Sequence, residues 1–580
     1  MGEKFSFLSK LNDQQKYACT YDGNVLLTAC PGSGKTRTLT YRLAYLSEKY
    51  LDSHQLNVAI TYTNRAADEI KDRLDLLDVC QDNVWAGTIH QFCLQYIIRP
   101  YSLYSDRLKH GYHIIDEYVQ RNYLHEICDE LEISLGFEIR ETLEIPTVKD
   151  KYLQKLLSLK EIDFEMILSI SCDLLTQNSF IPQTIAGVIR TLHVDEYQDT
   201  NELQYKILAL IATCDSKIQV FFVGDKNQAI YGGIGGIAKE KESLEVLFGC
   251  AFKELVLSGC YRTCQRIIDY YSCFQVEKAA ITSLAENANS SGIIKYNKGT
   301  DKSALSAVIS KIIQAELQAG TAAEEICVLA PQWTMLFKVS KGLRAELPTV
   351  NFDAPDISPI KYDPINPLYL IARILFSKPG MNSARRKRWA TEILSILSED
   401  YGFNIPRNFN NQDLLKCINS VPRISENGVL TLENAIDMLF NLLTFDWKSN
   451  EEITKTYSDF FAKIENRIET YELCNTIEAF EKCFNERHGV VISTCHGVKG
   501  EEYKTVIAFG LLNGYLPNWN VIIHGSNGER KNEADRLLFV ISSRAKENLY
   551  LFSEQGHFTR RGDPYQPNDE INAICYKYDL

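Results

Sequence analysis

The sequence predicts two α/β cores, each a parallel sheet wrapped by helices and each interrupted by a mainly helical insertion. Three observations carry this. Short apolar runs rich in Val, Ile, Leu and Phe recur near both ends: "NVLLTA", "NVAITYT", "TLHVDE" and "QVFFVGD" early, "EEICVLAP", "GVVISTCH", "KTVIAFG" and "NLYLFSE" late. Most lead into helical stretches, the pattern of buried parallel strands joined by crossover helices. Long helical stretches interrupt each set. Finally, "ACPGSGKT" (29–36) lies between a strand-like and a helix-like run, where a phosphate-binding loop belongs.

The first strand feeds that loop. Gly32, Ser33 and Gly34 let backbone amides approach a phosphate, and the next helix points its positive end at the anion. Lys35 would reach the β- and γ-phosphates, and Thr36 would offer its hydroxyl to Mg²⁺. The strict pattern has glycine where this chain has Ala29, a small residue still. Residues 93–187 read as helical, as in "IDEYVQRNYLHEICDELE". "HVDEYQDT" (193–200) then ends a strand in paired acids: Asp195 is placed to hold Mg²⁺ through water, and Glu196 to orient the attacking water as general base. "VFFVGDKNQAIYG" (220–232) ends another strand, with Gln228 placed to sense the γ-phosphate or its water. Residues 376–485 form the second helical interruption. "IIHGSNGERKNEAD" (522–535) and the C-terminal tail are expected to be disordered.

Composition narrows the class. Hydrophobic content of 45% and charged content of 24% are ordinary for a soluble globular chain. No run of about 18 uncharged apolar residues is present, so no membrane contact is expected. Seventeen cysteines are scattered without zinc-site spacing, which points to reduced thiols in the cytoplasm and away from an iron–sulfur cluster. Net charge is −13, so any contact with nucleic acid must be a local groove.

Nine blocks, in order, carry a resemblance. They are "LNDQQKYA" (11–18), "ACPGSGKTR" (29–37), "TYTNRAADEI" (61–70), "GTIHQFC" (87–93), "VDEYQDTNELQ" (194–204), "VGDKNQAIYG" (223–232), "LSGCYRT" (257–263), "STCHGVKGEEY" (493–503) and "RLLFVISSRAKENL" (536–549). With them the chain resembles a superfamily 1A DNA helicase of the UvrD/PcrA/Rep type. The resemblance implies two RecA-like P-loop domains. The first, 1A, would comprise 1–92 and 188–285 around helical insertion 1B, 93–187. The second, 2A, would comprise 286–375 and 486–580 around helical insertion 2B, 376–485.

It also implies roles. ATP and Mg²⁺ would be the cofactors. Gln15 would read the adenine edge, Arg37 would lie beside the nucleotide, Tyr261 would stack on the base and Glu502 would hold the ribose. Arg262 and Arg544 would reach the γ-phosphate as arginine fingers, a contribution of about 10³–10⁵ in rate in related NTPases. Arg544 stands in the second core and Lys35 in the first, so the site would form when the cores close. Arg544→Ala is then expected to spare folding while cutting turnover. Single-stranded or tailed DNA would run over Thr63, Asn64, His90 and Tyr231 of the first core and Thr494 and His496 of the second. Polar groups there suit phosphate positioning, and an aromatic face suits base stacking.

Two departures bear on the DNA track. After "AIYG" the family continues with an aromatic residue, arginine and glycine; this chain has Gly233, Ile234 and Gly235. Cys260 stands where the family usually has Asn. One stacking platform and one cation are therefore missing, and the second insertion is compact. The expectation is an ATP-dependent 3′→5′ translocase or helicase working within a complex. The alternative is a DNA-gated ATPase subunit of a nuclease complex, with an OLD-type endonuclease as partner, as in Gabija-like anti-phage systems. A nucleoside kinase or small GTPase would need neither "DEYQDT" nor two distant arginines. A fused nuclease finds no acidic and lysine cluster after residue 550.

Overall fold

The computed structural model describes residues 3–579 apart from 135, 137–138, 233–234, 355–357, 364, 379–382, 423–425, 444–445, 485–487 and 560. The chain divides into two units, one of Met1–Tyr261 with Ala279–Thr282, the other of Arg262–Lys278 with Ser283–Leu580. Both are α/β, as the alternation of apolar runs and helices requires.

In the first unit six strands form a parallel sheet. They are β1 (Val25–Ala29), β2 (Leu56–Thr61), β3 (Val84–Thr88), β4 (Ile189–Asp195), β5 (Gln219–Gly224) and β6 (Lys253–Leu257), in the order β3-β2-β4-β5-β1-β6. Successive side chains alternate between faces. Leu26, Val58, Ile60, Val220 and Phe222 enter one core, packed against the helices at 164–177 and 202–212. Val25, Leu27, Ala59, Phe221 and Val223 enter the other. Three helices cover that second face: α1 (Asp13–Thr20), α2 (Lys35–Lys49) and α3 (Asn64–Leu77). Each fully buried Phe, Leu or Ile contributes about 1.5–3 kcal/mol, which explains why the central strands β1 and β5 read as mostly apolar runs. The interrupting segment is mainly helical, as expected. It adds a short parallel pair, His113–Ile114 beside Glu161–Ile162.

His193 is a polar exception in β4. It is fully buried, and its Nδ1 donates to the Val58 carbonyl at 3.1 Å. Burial, with the Arg42 guanidinium nearby, pushes the imidazole down to about 3. Unfolded, it would take up its proton near pH 6.5. Its stabilising contribution is therefore complete above pH 6.5 and is lost as pH falls towards 3, at about 1.4 kcal/mol per pH unit. Taking the protein from pH 7 to pH 5 should cost about 2 kcal/mol from this group alone. Urea unfolding at the two pH values measures it. The His193→Gln variant, which keeps a donor for Val58, should show the smaller pH dependence.

The second unit repeats the layout. Its strands are β7 (Ile293–Asn297), β8 (Ile326–Ala330), β9 (Phe352–Asp353), β10 (Val490–Thr494), β11 (Tyr503–Ala508) and β12 (Ala545–Phe552). All pairs are parallel, in the order β7-β12-β11-β8-β10-β9. The helices between Pro367 and Phe484 build a core of their own, which includes Leu368, Ile393, Leu439, Phe461 and Phe480. Gly428 starts one of these helices directly against Phe480, where a Cβ would lie 2.3 Å from the ring.

Two stretches expected to be disordered are ordered. Residues 519–524 are helical, and α5 runs from Asn527 to Ser543, its start capped by Ser526 with Glu529 in a capping box. The polar run is one side of a helix whose other side buries Ala534, Leu537, Leu538 and Ile541. Near the end of the chain, Tyr576 and Tyr578 pack on Tyr270, and Asp579 pairs with Arg266 at 2.8 Å. Tyr270 and Arg266 lie on α4 (Gln265–Ser272). No described helix is long and apolar enough to cross a membrane.

Candidate nucleotide site

In the first unit the carboxyl ends of β4, β5 and β1 lie side by side, with Asp195 opposite Val223 and Thr28 opposite Gly224. That register gathers the glycine loop, the acid pair and Gln228 at one edge. Gly32 and Gly34 have φ of +71° and +81°, a region open to glycine at little cost. α2 then starts at Lys35, so its amino end faces the loop. Ser33 is buried, and its hydroxyl donates to the Cys30 carbonyl at 2.7 Å, fixing the loop from within. Thr36 lies in the first turn of α2.

Lys35 Nζ lies 3.8 Å from Glu196 Oε1. Glu196 sits at φ +50°, unusual for a non-glycine residue and a conformation that functional turns often hold. Gln198 donates to its carboxylate, and accepts from the Asp225 amide at 3.0 Å. Gln198 is thus a brace between the acid turn and the end of β5 that the sequence reading missed. Asp195 is buried, and burial together with the Glu196 charge raises its carboxyl to about 8 against the pull of Lys35. Asp225 is raised too, again first by burial, and accepts from Gln228 Nε2 at 2.7 Å. Asp195 and Asp225 thus stand as two buried acids at the edge that carries the glycine loop. Among the described residues no three His, Cys, Asp or Glu side chains converge to hold a metal by themselves. The donors Thr36 and Asp195 instead suit Mg²⁺ carried in by phosphates.

The brace leans on Gly224. A Cβ there would lie 2.1 Å from Gln198 Oε1 and 2.6 Å from the Tyr197 ring. Gly224→Ala should therefore shift the Glu196 turn. Since a 1 Å misplacement can cost on the order of 10²-fold in rate, kcat for nucleotide hydrolysis is expected to fall by about that factor. Nucleotide affinity should change much less, and steady-state kinetics beside a binding titration would separate the two.

The residues expected to meet the base, Gln15, Arg37 and Tyr261, lie in the same unit. Asn12 and Gln15 form a capping box on α1, and Gln15 Nε2 donates to the Ser33 carbonyl at 2.9 Å. Asn12 Nδ2 donates to the Tyr261 hydroxyl at 2.5 Å, and the Tyr261 amide donates to the Gly32 carbonyl at 2.9 Å. Tyr261 remains 45% exposed, a ring face available beside the loop. Arg37 donates to the Lys10 carbonyl at 2.8 Å.

The other arginines lie in the second unit. Glu502 stands just before β11 and Arg544 just before β12, neighbouring strands that share an edge. Arg262 Nε lies 2.5 Å from Glu502 Oε2. Desolvation opposes ionisation of Glu502, but Arg262 and Lys546 outweigh it and leave its carboxyl below the usual range. Arg544 is 1% exposed. Its Nε donates to the Val540 carbonyl, Nη1 to the Glu501 carbonyl and Nη2 to Ser543 Oγ, at 3.0–3.1 Å. To meet a phosphate this guanidinium must exchange partners.

The residues assigned to nucleic acid fall at strand ends. In the first unit Thr63 and Asn64 follow β2, His90 follows β3 and Tyr231 follows β5, on the same edge as the glycine loop. Thr63 Oγ1 caps α3 by accepting from the Ala66 amide at 3.2 Å. Tyr231 packs on Tyr62, with centroids 4.6 Å apart, an aromatic pair the sequence reading had not joined. His90 meets the Phe164 ring edge-on, and burial lowers its imidazole to about 4, so it is neutral at pH 7. Gly233 and Ile234 lie outside the described residues. In the second unit Thr494 ends β10, and its Oγ1 accepts from the Gly497 amide at 3.1 Å. Thr494 and His496 are at the carboxyl edge of that sheet, whereas Glu502 and Arg544 are at its amino edge. The segment 495–502 runs from one edge to the other.

Comparison with known proteins gives matches at both ends. The model of the UvrD/REP helicase N-terminal domain matches residues 11–143 and 137–236, and that of the UvrD-like helicase C-terminal domain matches 425–556. The chain is similar to a Staphylococcus epidermidis protein named ATP-dependent DNA helicase PcrA, 22% identical over 94% of this chain and 83% of the relative. A Staphylococcus aureus protein of the same name is 30% identical over 46% of this chain and 40% of the relative.

Proposed function

This chain belongs to the UvrD/PcrA-like helicase family, and from that premise we propose that it is an ATP-hydrolysing motor on single-stranded or tailed DNA, translocating 3′→5′ in the cytoplasm. The observation that carries the proposal is the edge of the first sheet, where the glycine loop, Lys35, Asp195, Glu196 and Gln228 stand together and Thr63, Asn64, His90 and Tyr231 continue along the same edge. Hydrolysis and nucleic-acid contact would thus share one rigid scaffold.

In this reading Gly32, Ser33, Gly34, Lys35 and Thr36 cradle the phosphates. Gln15, Arg37 and Tyr261 face the base. Thr36 and Asp195 would hold Mg²⁺, which would supply positive charge against the phosphates. Glu196 takes a proton from the attacking water, and Gln228 orients that water. Arg262 and Arg544 would supply positive charge to the γ-phosphate as arginine fingers, and Glu502 would hold the ribose. The segment 495–502, anchored at Thr494 and ending at Glu502, would report nucleotide state to the DNA side.

The Gly233-Ile234-Gly235 sequence favours weak grip on DNA, with loss of a base stack of about 1–3 kcal/mol. Translocation with little unaided strand separation follows, and a role beside a partner protein remains the narrower form of the proposal. The test is ATP hydrolysis with no polynucleotide, with short single-stranded DNA and with RNA of the same sequence. Strong stimulation by DNA supports the motor; turnover indifferent to polynucleotide overturns it.

A further inference from the structure

Lys546, which belongs to none of the assigned roles, contacts Glu502, Glu325 and Cys264 in the second unit. Its Nζ lies 3.6 Å from Glu502 Oε1, while Glu502 Oε2 is held by Arg262 at 2.5 Å. The same Nζ is clamped by both carboxylate oxygens of Glu325, at 3.3 and 3.1 Å. Glu325 itself is fixed by the Lys504 amide at 3.0 Å. The backbone carbonyl of Lys546 accepts from the Cys264 amide at 3.1 Å, two residues beyond Arg262. In sequence it is two residues beyond Arg544.

Arg262 cannot serve Glu502 and a γ-phosphate at once through the same Nε–H. When Arg262 turns to phosphate, Glu502 loses its shorter ion pair. Lys546, anchored independently by Glu325, is the cation that remains to hold the Glu502 carboxylate in place. We propose that Lys546 is the positioning residue that keeps Glu502 aimed at the ribose hydroxyls while Arg262 exchanges Glu502 for the nucleotide. The inference rests on the nucleotide site proposed above and adds to it a residue and a reason for sugar selectivity.

The test compares ATP with 2′,3′-dideoxy-ATP in the full chain with single-stranded DNA present. Wild-type protein should hydrolyse ATP with a KM about tenfold lower than that for the dideoxy nucleotide. Lys546→Met should raise the KM for ATP towards that of the dideoxy form and leave the latter's KM unchanged. Its kcat should move far less, and Lys546→Arg should restore the preference. Glu325→Gln, which weakens the anchor without touching Lys546, should give an intermediate preference and serves if Lys546→Met does not fold. Wild type without nucleotide turnover would overturn the motor reading itself. Wild type with normal turnover, combined with a sugar preference that is absent or survives in Lys546→Met and Glu325→Gln, would overturn only the role of Lys546.

Discussion

Glu196→Gln is expected to bind ATP as tightly as wild type and to hydrolyse it more slowly by about 10²–10⁴, the usual worth of a positioned general base. The amide keeps the size and the hydrogen-bonding reach of the carboxylate, so the turn at φ +50° and the Gln198 brace have no reason to collapse. What disappears is the proton acceptor, together with the negative partner of Lys35 at 3.8 Å. Loss of that pair frees Lys35 for phosphate, so affinity should hold or rise. Rapid-quench hydrolysis beside a fluorescent-nucleotide titration measures both. Hydrolysis at the wild-type rate would remove Glu196 from the role of base.

Substitution of Arg544 should have the largest effect on turnover, by about 10³–10⁵ if it acts as an arginine finger. The structure changes which substitution is informative. Arg544 is buried, and three of its nitrogens satisfy Val540, Glu501 and Ser543. Alanine would leave those acceptors bare and a void behind them, at about 1–3 kcal/mol for each buried group left unsatisfied. The expectation that Arg544→Ala spares folding therefore does not suit this environment. Arg544→Lys keeps the stem and the charge but loses the planar fork. It should fold with a small drop in Tm and still turn over at least a hundredfold more slowly, with nucleotide affinity little changed.

The parts most legible in the sequence were those written as contiguous runs. The glycine loop, the acid pair after β4 and Gln228 after β5 each fall within a few residues of a strand end, so a strand pattern and a motif locate them together. The Asn12-x-x-Gln15 capping box is also local spacing, but the sequence reading gave Gln15 only a role at the base and did not join it to Asn12. What sequence could not show was pairing at a distance. Lys546 and Glu325 meet across 221 positions, and each alone is one charged residue among many. Gln198 looked like part of an acidic turn until the register of β4 on β5 placed Gly224 beneath it. α5 was misread because its polar side and its glycine mimic a loop; its buried side becomes visible only when the helix is laid against the second sheet. Burial hid Arg544 in the same way, since exposure follows from packing and not from the motif that contains it.

The central claim is that the glycine loop at the edge of the first sheet holds the nucleotide that the protein hydrolyses. An ATP analogue carrying a photoreactive group on the γ-phosphate tests it most directly, with single-stranded DNA present and the labelled peptides identified by mass spectrometry. The account predicts labelling of peptides that contain the 29–37 loop, competed away by ATP. Absence of label from those peptides, at saturating DNA and analogue, would contradict it.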